Sequence, residues 1–130
     1  MRLSVASASQ ALLEFALVAP LFFLLLLAVF DVGRGAYASI VLANATREGS
    51  RYAATHQAQA NWQATTAETV RSLSAGLVVQ QIVVQTSTQS VGGITYVTVQ
   101  TSYPFQAIVP GVSALLGSST VQSSATVLAG

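Results

Sequence analysis

Four acids, five arginines and one histidine make up the charged chemistry of this 130-residue chain. Their spacing supports ion pairing rather than catalysis. Asp31–Arg34, Glu48–Arg51 and Glu68–Arg71 are each an acid followed three residues later by an arginine. On a helix such residues are neighbours, in the order the helix dipole favours. Each exposed pair of this kind contributes only about 0.3–0.5 kcal/mol. Glu14 is the one acid with no arginine within a helical turn. General acid–base chemistry by paired carboxylates is therefore not expected, because three of the four acids already face arginines. His56 is the single histidine and has no cysteine or acid beside it, so it reads as a surface or helix-end residue rather than a metal ligand. No G-x-S-x-G nucleophile string occurs. Cysteine is absent, which excludes disulfides, thiol catalysis and thiolate metal sites. The chain reads as a non-enzyme with no cofactor, no metal and no small-molecule substrate. Nucleic acid is not an expected partner either: net charge is +1, lysine is absent, the arginines are scattered, and no Gly-rich phosphate loop occurs. Asn44-Ala45-Thr46 matches a glycosylation acceptor by chance within a helical stretch. Trp62 and Tyr96 read as core residues.

The element that must position Glu14 is the most apolar in the chain. Phe15 to Phe30 carries no charge, and twelve of these sixteen residues are Leu, Val or Phe. At about −0.3 to −0.6 kcal/mol each they favour membrane insertion by roughly 5 kcal/mol. Sixteen helical residues span about 24 Å, short of the roughly 30 Å hydrocarbon core. Extending back through Ala11 closes the gap and places Glu14 inside the segment. An acid there costs up to about 3 kcal/mol, less than the apolar gain. Pro20 removes one helical hydrogen bond and can bend the segment. Only 7% of the chain is charged, against roughly a quarter in ordinary soluble domains, which points to a life in a membrane or an assembly. One alternative is a signal peptide cut after the Ala36-Tyr37-Ala38 pattern, leaving a small secreted binding domain. Asp31 and Arg34 before that cut, and a single Arg2 at the start, weigh against it. A second alternative is a single-span anchor that never polymerises. Counting Lys and Arg around the segment alone would put the amino terminus outside.

Beyond Asp31 the helical pattern continues. Val32, Ala36, Tyr37, Ile40, Val41, Ala45 and Tyr52 recur near spacings of three and four, predicting one helix from about Ala11 to Thr55. Such a helix is roughly 65 Å long. Gly33 and Gly35 mark a candidate hinge, and Gly49 weakens the helix locally. The latter half, Tyr37 to Tyr52, is expected to cover a sheet. A second helix is predicted over Asn61 to Ser74, with Trp62, Val70 and Leu73 as its apolar face and Gly76 ending it. Strands are predicted at Leu77 to Thr86, Ile94 to Tyr103 and Thr120 to Leu128, with Gly92-Gly93 turning the first into the second. Phe105 to Ser119 reads as a loop with an apolar or short helical centre at Val112 to Leu116. The expected fold is α+β: a long amino-terminal helix, its first half transmembrane, packed on a small three-stranded antiparallel sheet.

Two strings carry a resemblance. Q-A-L-L-E-F-A-L-V-A-P-L occupies Gln10 to Leu21, and D-V-G-R-G-A-Y-A occupies Asp31 to Ala38, continuing into N-A-T-R-E-G-S-R-Y-A-A at Asn44 to Ala54. In their order and spacing these resemble the TadE-like proteins of tight-adherence pilus systems, which are small pilins or pseudopilins related to type IV pilins. Thr46 and Ser50 replace the usual alanines. S-Y-P-F at Ser102 to Phe105 and S-S-A-T at Ser123 to Thr126 look like the family's later strands. The resemblance implies a pseudopilin acting in pilus assembly or initiation by helix packing. It implies cleavage by a prepilin peptidase between Ser9 and Gln10, although Ser9 stands where the family usually has glycine. Residues 1–9 would be the leader, 10–31 the transmembrane and assembly helix, 32–57 its extension and 58–130 an extracytoplasmic domain. Glu14, Phe15 and Pro20 would serve subunit assembly. Asp31, Gly33, Arg34, Tyr37, Arg47, Glu48, Gly49, Arg51 and Tyr52 form the motif on the helix. The implied partners are the lipid bilayer, other pilin-like subunits in homo- or hetero-oligomers through the amino-terminal helix, the peptidase and a pilus assembly platform. The implied location is the bacterial cytoplasmic membrane, crossed once with the amino terminus cytoplasmic, and from there a surface pilus.

Overall fold

A computed structural model describes residues 4–109, 111, 114 and 119–129. In chain order the elements are helix α1 (Ser4–His56), helix α2 (Trp62–Leu73), a 3-10 turn (Val79–Gln81) and strands β1 (Val83–Val91), β2 (Ile94–Phe105) and β3 (Ser119–Leu128). The fold is α+β, with the expected long helix and an antiparallel sheet of order β1-β2-β3. The chain divides into two compact units, Met1–Gly33 with Ala107–Gly117 and Arg34–Gln106 with Ser118–Gly130. The expected helical centre at Val112 to Leu116 lies largely outside the described residues.

In the first unit α1 runs unbroken through Pro20. Its apolar side chains are uncovered: Phe15 is 68% exposed and Leu24 52%, and none of the most apolar 18-residue window is buried.

The core of the second unit is built by the continuation of α1. Ala38, Leu42, Ala45, Thr46, Gly49, Ser50 and Ala53 are buried at helical spacing. This corrects the expected face. Ala36 and Ile40 point outward, as does most of Tyr37, and so does Val32 before them. The inward face is instead made of small residues, with Leu42 the one large side chain. Small residues let the helix backbone approach its neighbours closely, whereas the bulky apolar residues sit where nothing among the described residues covers them. Leu42, Ala45 and Ala53 cluster with Val70, Ile82, Val97 and Val99.

Helix α2 buries Thr66 and Val70, with Trp62 half-buried against the core. Leu73, expected on that face, is 48% exposed. Trp62, Thr66 and Val70 are four apart and share a stripe, and Leu73 follows on the same side as the last residue of α2, where it stays open to solvent. Gly76 follows with φ +78, a left-handed turn that an L side chain rarely adopts. The first strand starts later than predicted. Leu77 and, from the 3-10 turn, Val79 pack on the core, and pairing begins at Val83 and runs to Val91. Gly92 and Gly93, both at positive φ, close the hairpin with the backbone twist such turns require.

Val97, Val99 and Thr101 face the core. Strand side chains alternate, so Tyr96 lies on the opposite, outer face, and the tyrosine of β2 that packs on the core is Tyr103. Pro104 lies in β2 beyond Ser102, the last residue paired with β1, so only β3 flanks it there. A residue without an N–H is tolerated where one side of the strand is open.

Candidate functional site

Glu14 lies in α1 with Leu13, Phe15, Leu17 and Val18 exposed around it, and its own side chain is exposed. Among the described residues it forms no ion pair. Ser9 and Gln10 are in the same continuous helix, one turn before it. Phe15 and Pro20 are exposed on the segment that follows. This stretch is a helical surface of Leu, Phe and Val with one carboxylate set into it, and such a surface needs lipid or other helices around it.

The helix motif is split between anchoring and packing. Asp31 is only 2% exposed, and its Oδ2 accepts the backbone N–H groups of Ile108 and Val109 at 2.8 and 2.9 Å. Its carboxylate thus fastens the chain segment that leaves β2, a role beyond the local pairing expected from spacing. Arg34 places its guanidinium 5.5 Å from the centre of the Phe105 ring. The same ring lies 3.6 Å from where a Cβ on Gly35 would stand. Tyr37 donates its hydroxyl proton to the Ala75 carbonyl at 3.0 Å, tying α1 to the turn after α2. Gly33 and Gly35 leave the helix uninterrupted, and a Cβ on Gly33 would meet open space.

Further along, Gly49 is where α1 meets α2. A Cβ there would overlap Val70 Cγ2. Gly49→Ala is expected to cost about 1–3 kcal/mol through overpacking. Denaturation of the detergent-solubilised chain, followed by the fluorescence of its single tryptophan, Trp62, measures this. Arg47, Glu48 and Arg51 are exposed, and Arg51 pairs with Glu48 at 3.5 Å. Among the described residues Glu68 and Arg71 form no ion pair, so the third spacing match closes no bridge. Tyr52 stacks on His56, centroids 4.0 Å apart. His56 Nδ1 lies 2.9 Å from the Tyr52 carbonyl. The same nitrogen lies 2.8 Å from the Thr55 hydroxyl oxygen. His56 is the last residue of α1, as its helix-end reading expected.

Thr46 and Ser50, the departures from alanine, are both buried. Ser50 donates to the Arg47 carbonyl. Thr46 donates to the Leu42 carbonyl at 2.6 Å, and its oxygen is 2.6 Å from that of Thr101 on β2. Since the Thr46 proton is committed to a carbonyl, Thr101 is the donor between the two hydroxyls. Helix and sheet therefore share a buried polar link that residue spacing did not reveal. No side-chain nitrogen or oxygen buried among the described residues lacks a partner. Thr46→Val is expected to cost about 1–2 kcal/mol, because it leaves the buried Thr101 hydroxyl only the Ser123 carbonyl, 3.4 Å away, as acceptor. Adding Thr101→Val should cost less than the sum of the two single changes, and a double-mutant cycle on the same unfolding signal reads the difference.

An apolar helix that is bare at its amino-terminal end and built into the core of an α+β unit further along is the arrangement these residues define. Residues 10–51 match the model of the TadE-like protein family. The matched segment runs from Gln10 through Glu14, Asp31 and Arg34 to Arg51, and the strings at 102–105 and 123–126 lie outside it. No curated protein and no solved structure matches the chain.

Proposed function

We propose that this protein is a membrane-anchored, pilin-like subunit of a tight-adherence pilus and that it acts by helix packing. The observation that carries the reading is the uncovered apolar length of α1 with Glu14 set into it. The segment 10–31 crosses the bacterial cytoplasmic membrane once, and the α+β unit stands on the extracytoplasmic side. A prepilin peptidase cuts between Ser9 and Gln10. The new amine on Gln10 then neutralises Glu14 of a neighbouring subunit and sets the axial register between the two helices. Pairing two charges in a low dielectric is favourable chiefly relative to leaving either one bare. Ile40 supports the same reading: it is 63% exposed beyond the span, so the outer face of α1 stays apolar past the expected lipid boundary.

The packing argues against a secreted domain cut after Ala38. Such a cut would remove Ala38 from the core, Gly35 and Arg34 from Phe105, and Tyr37 from the Ala75 carbonyl. Fractionation tests the proposal. The chain should resist carbonate extraction from cytoplasmic membranes and should appear among filaments sheared from the cell surface. A chain found only as a soluble secreted protein would refute it. A chain confined to the membrane in piliated cells would leave only an anchor.

A further inference from the structure

No charged residue follows Arg71, so all three strands are free of charge. Exposed sheet edges are ordinarily blunted by lysine, proline, a bulge or a covering element, because their unpaired backbone groups invite another strand. Of the two edges, β1 has some shelter: Gln63 and Ala64 of α2 border a shared cavity with Val84 to Ser87. On β3, residues 120–128 contain no charge, no proline and no bulge, and their register against β2 is unbroken. Among the described residues nothing hydrogen-bonds the other side of this stretch.

The hydrogen-bond phase can be read directly. Ala129 N–H donates to the Thr95 carbonyl, so odd-numbered residues of β3 turn their backbone groups toward β2. Thr120, Gln122, Ser124, Thr126 and Leu128 therefore turn N–H and C=O outward. The sequence around Ser124 is nearly symmetric: Ser123 and Ala125 flank it, then Gln122 and Thr126, then Val121 and Val127. The inward-facing members, Val121, Ser123, Ala125 and Val127, are only half-buried, whereas Val97 and Val99 on β2 are fully buried.

We propose that two copies of this chain join through β3, antiparallel and edge to edge, about a two-fold axis at Ser124. In that register Ser124 faces its own counterpart, Gln122 faces Thr126, and Thr120 faces Leu128. These are the residues whose backbone groups point outward, so each pair exchanges both hydrogen bonds. Val121 meets Val127 and Ser123 meets Ala125 on the core side, which extends the apolar cover over β3. A one-residue slip would set core-side residues against outer-face ones. Absence of charge matters most for self-pairing, since like charges directly opposite would repel. The proposal is independent of the filament reading.

The chain's lack of cysteine gives a clean background for the test. Purified full chain in detergent micelles would be oxidised with Ser124→Cys or Thr126→Cys in place. Across the axis the 124 Cα atoms stand about 5.5 Å apart, within disulfide reach. The 126 Cα atoms are offset by four residues, about 14 Å, and are out of reach. Ser124→Cys should give roughly tenfold more linked dimer than Thr126→Cys alone, and Gln122→Cys mixed with Thr126→Cys should link the two variants. Ser124→Lys, on the exposed face, should convert the dimer to monomer by size-exclusion light scattering without changing Trp62 fluorescence. A wild-type chain that stays monomeric, equal linkage at 124 and 126, or linkage of Ser124→Cys to Ser87→Cys on β1 of another copy would each overturn the proposal.

Discussion

Replacing Glu14 by alanine is expected to leave the chain in the membrane and remove it from filaments. Insertion depends on the apolar run, which the substitution leaves intact. Deleting an acid that costs up to about 3 kcal/mol in the hydrocarbon can only strengthen insertion. In the proposed assembly the carboxylate itself makes the contact. Among the described residues it has no cation, and the proposed partner is the amine on Gln10 of a neighbouring subunit. Removing one member of a desolvated pair costs about 3–5 kcal/mol, because the other charge is left bare. That corresponds to roughly a hundred-fold or greater loss of docking affinity per subunit contact. Glu14→Gln should behave similarly, since it keeps shape and polarity but lacks charge. The measurement is the ratio of protein in sheared filaments to protein in membranes, compared across wild type, Glu14→Ala and Glu14→Gln. Normal piliation by Glu14→Ala would defeat the amine–carboxylate account.

Asp31→Ala should produce the largest local loss of order. One buried carboxylate oxygen holds two backbone N–H groups, those of Ile108 and Val109. Hydrogen bonds to a charged group are worth about 1.5–3 kcal/mol each, and their loss leaves donors to be resatisfied. Amide exchange at 108 and 109 should accelerate by about a hundred-fold or more, the equivalent of roughly 3 kcal/mol in local opening. Asp31→Asn keeps an acceptor oxygen without the charge and should fall between wild type and alanine. Equal exchange in Asp31→Ala and wild type would mean that the bonds to Oδ2 do not hold the segment.

These two residues show what the sequence could and could not disclose. Glu14 was conspicuous because its surroundings are uniformly apolar and the other acids have arginines nearby. Asp31 also had an arginine nearby, and that local match hid its bonds to residues more than seventy positions away. The α+β class, the long helix and the Gly92-Gly93 hairpin were legible because periodicity and turn chemistry are local. The face of α1 was misread for a physical reason. Pattern reading follows bulky apolar residues, but this helix buries Ala38, Ala45, Thr46, Gly49, Ser50 and Ala53, and Ile40 points out. Small residues mark close approach, and only the position of Val70 beside Gly49 makes that visible. Tyr96 was assigned to the core by its type, whereas its parity with Val97 already placed it outside. The Thr46–Thr101 bond had no signal beyond two threonines where apolar residues would serve.

The amino terminus of the mature protein decides most directly among these readings. Intact mass should be determined for the chain extracted from cytoplasmic membranes and for the chain in sheared surface filaments. The account predicts a chain beginning at Gln10 in both fractions, carrying the amine that Glu14 of a neighbour requires. A chain beginning at Ser39 and recovered in the soluble fraction would contradict it, because the helix carrying Glu14 would then be a discarded signal.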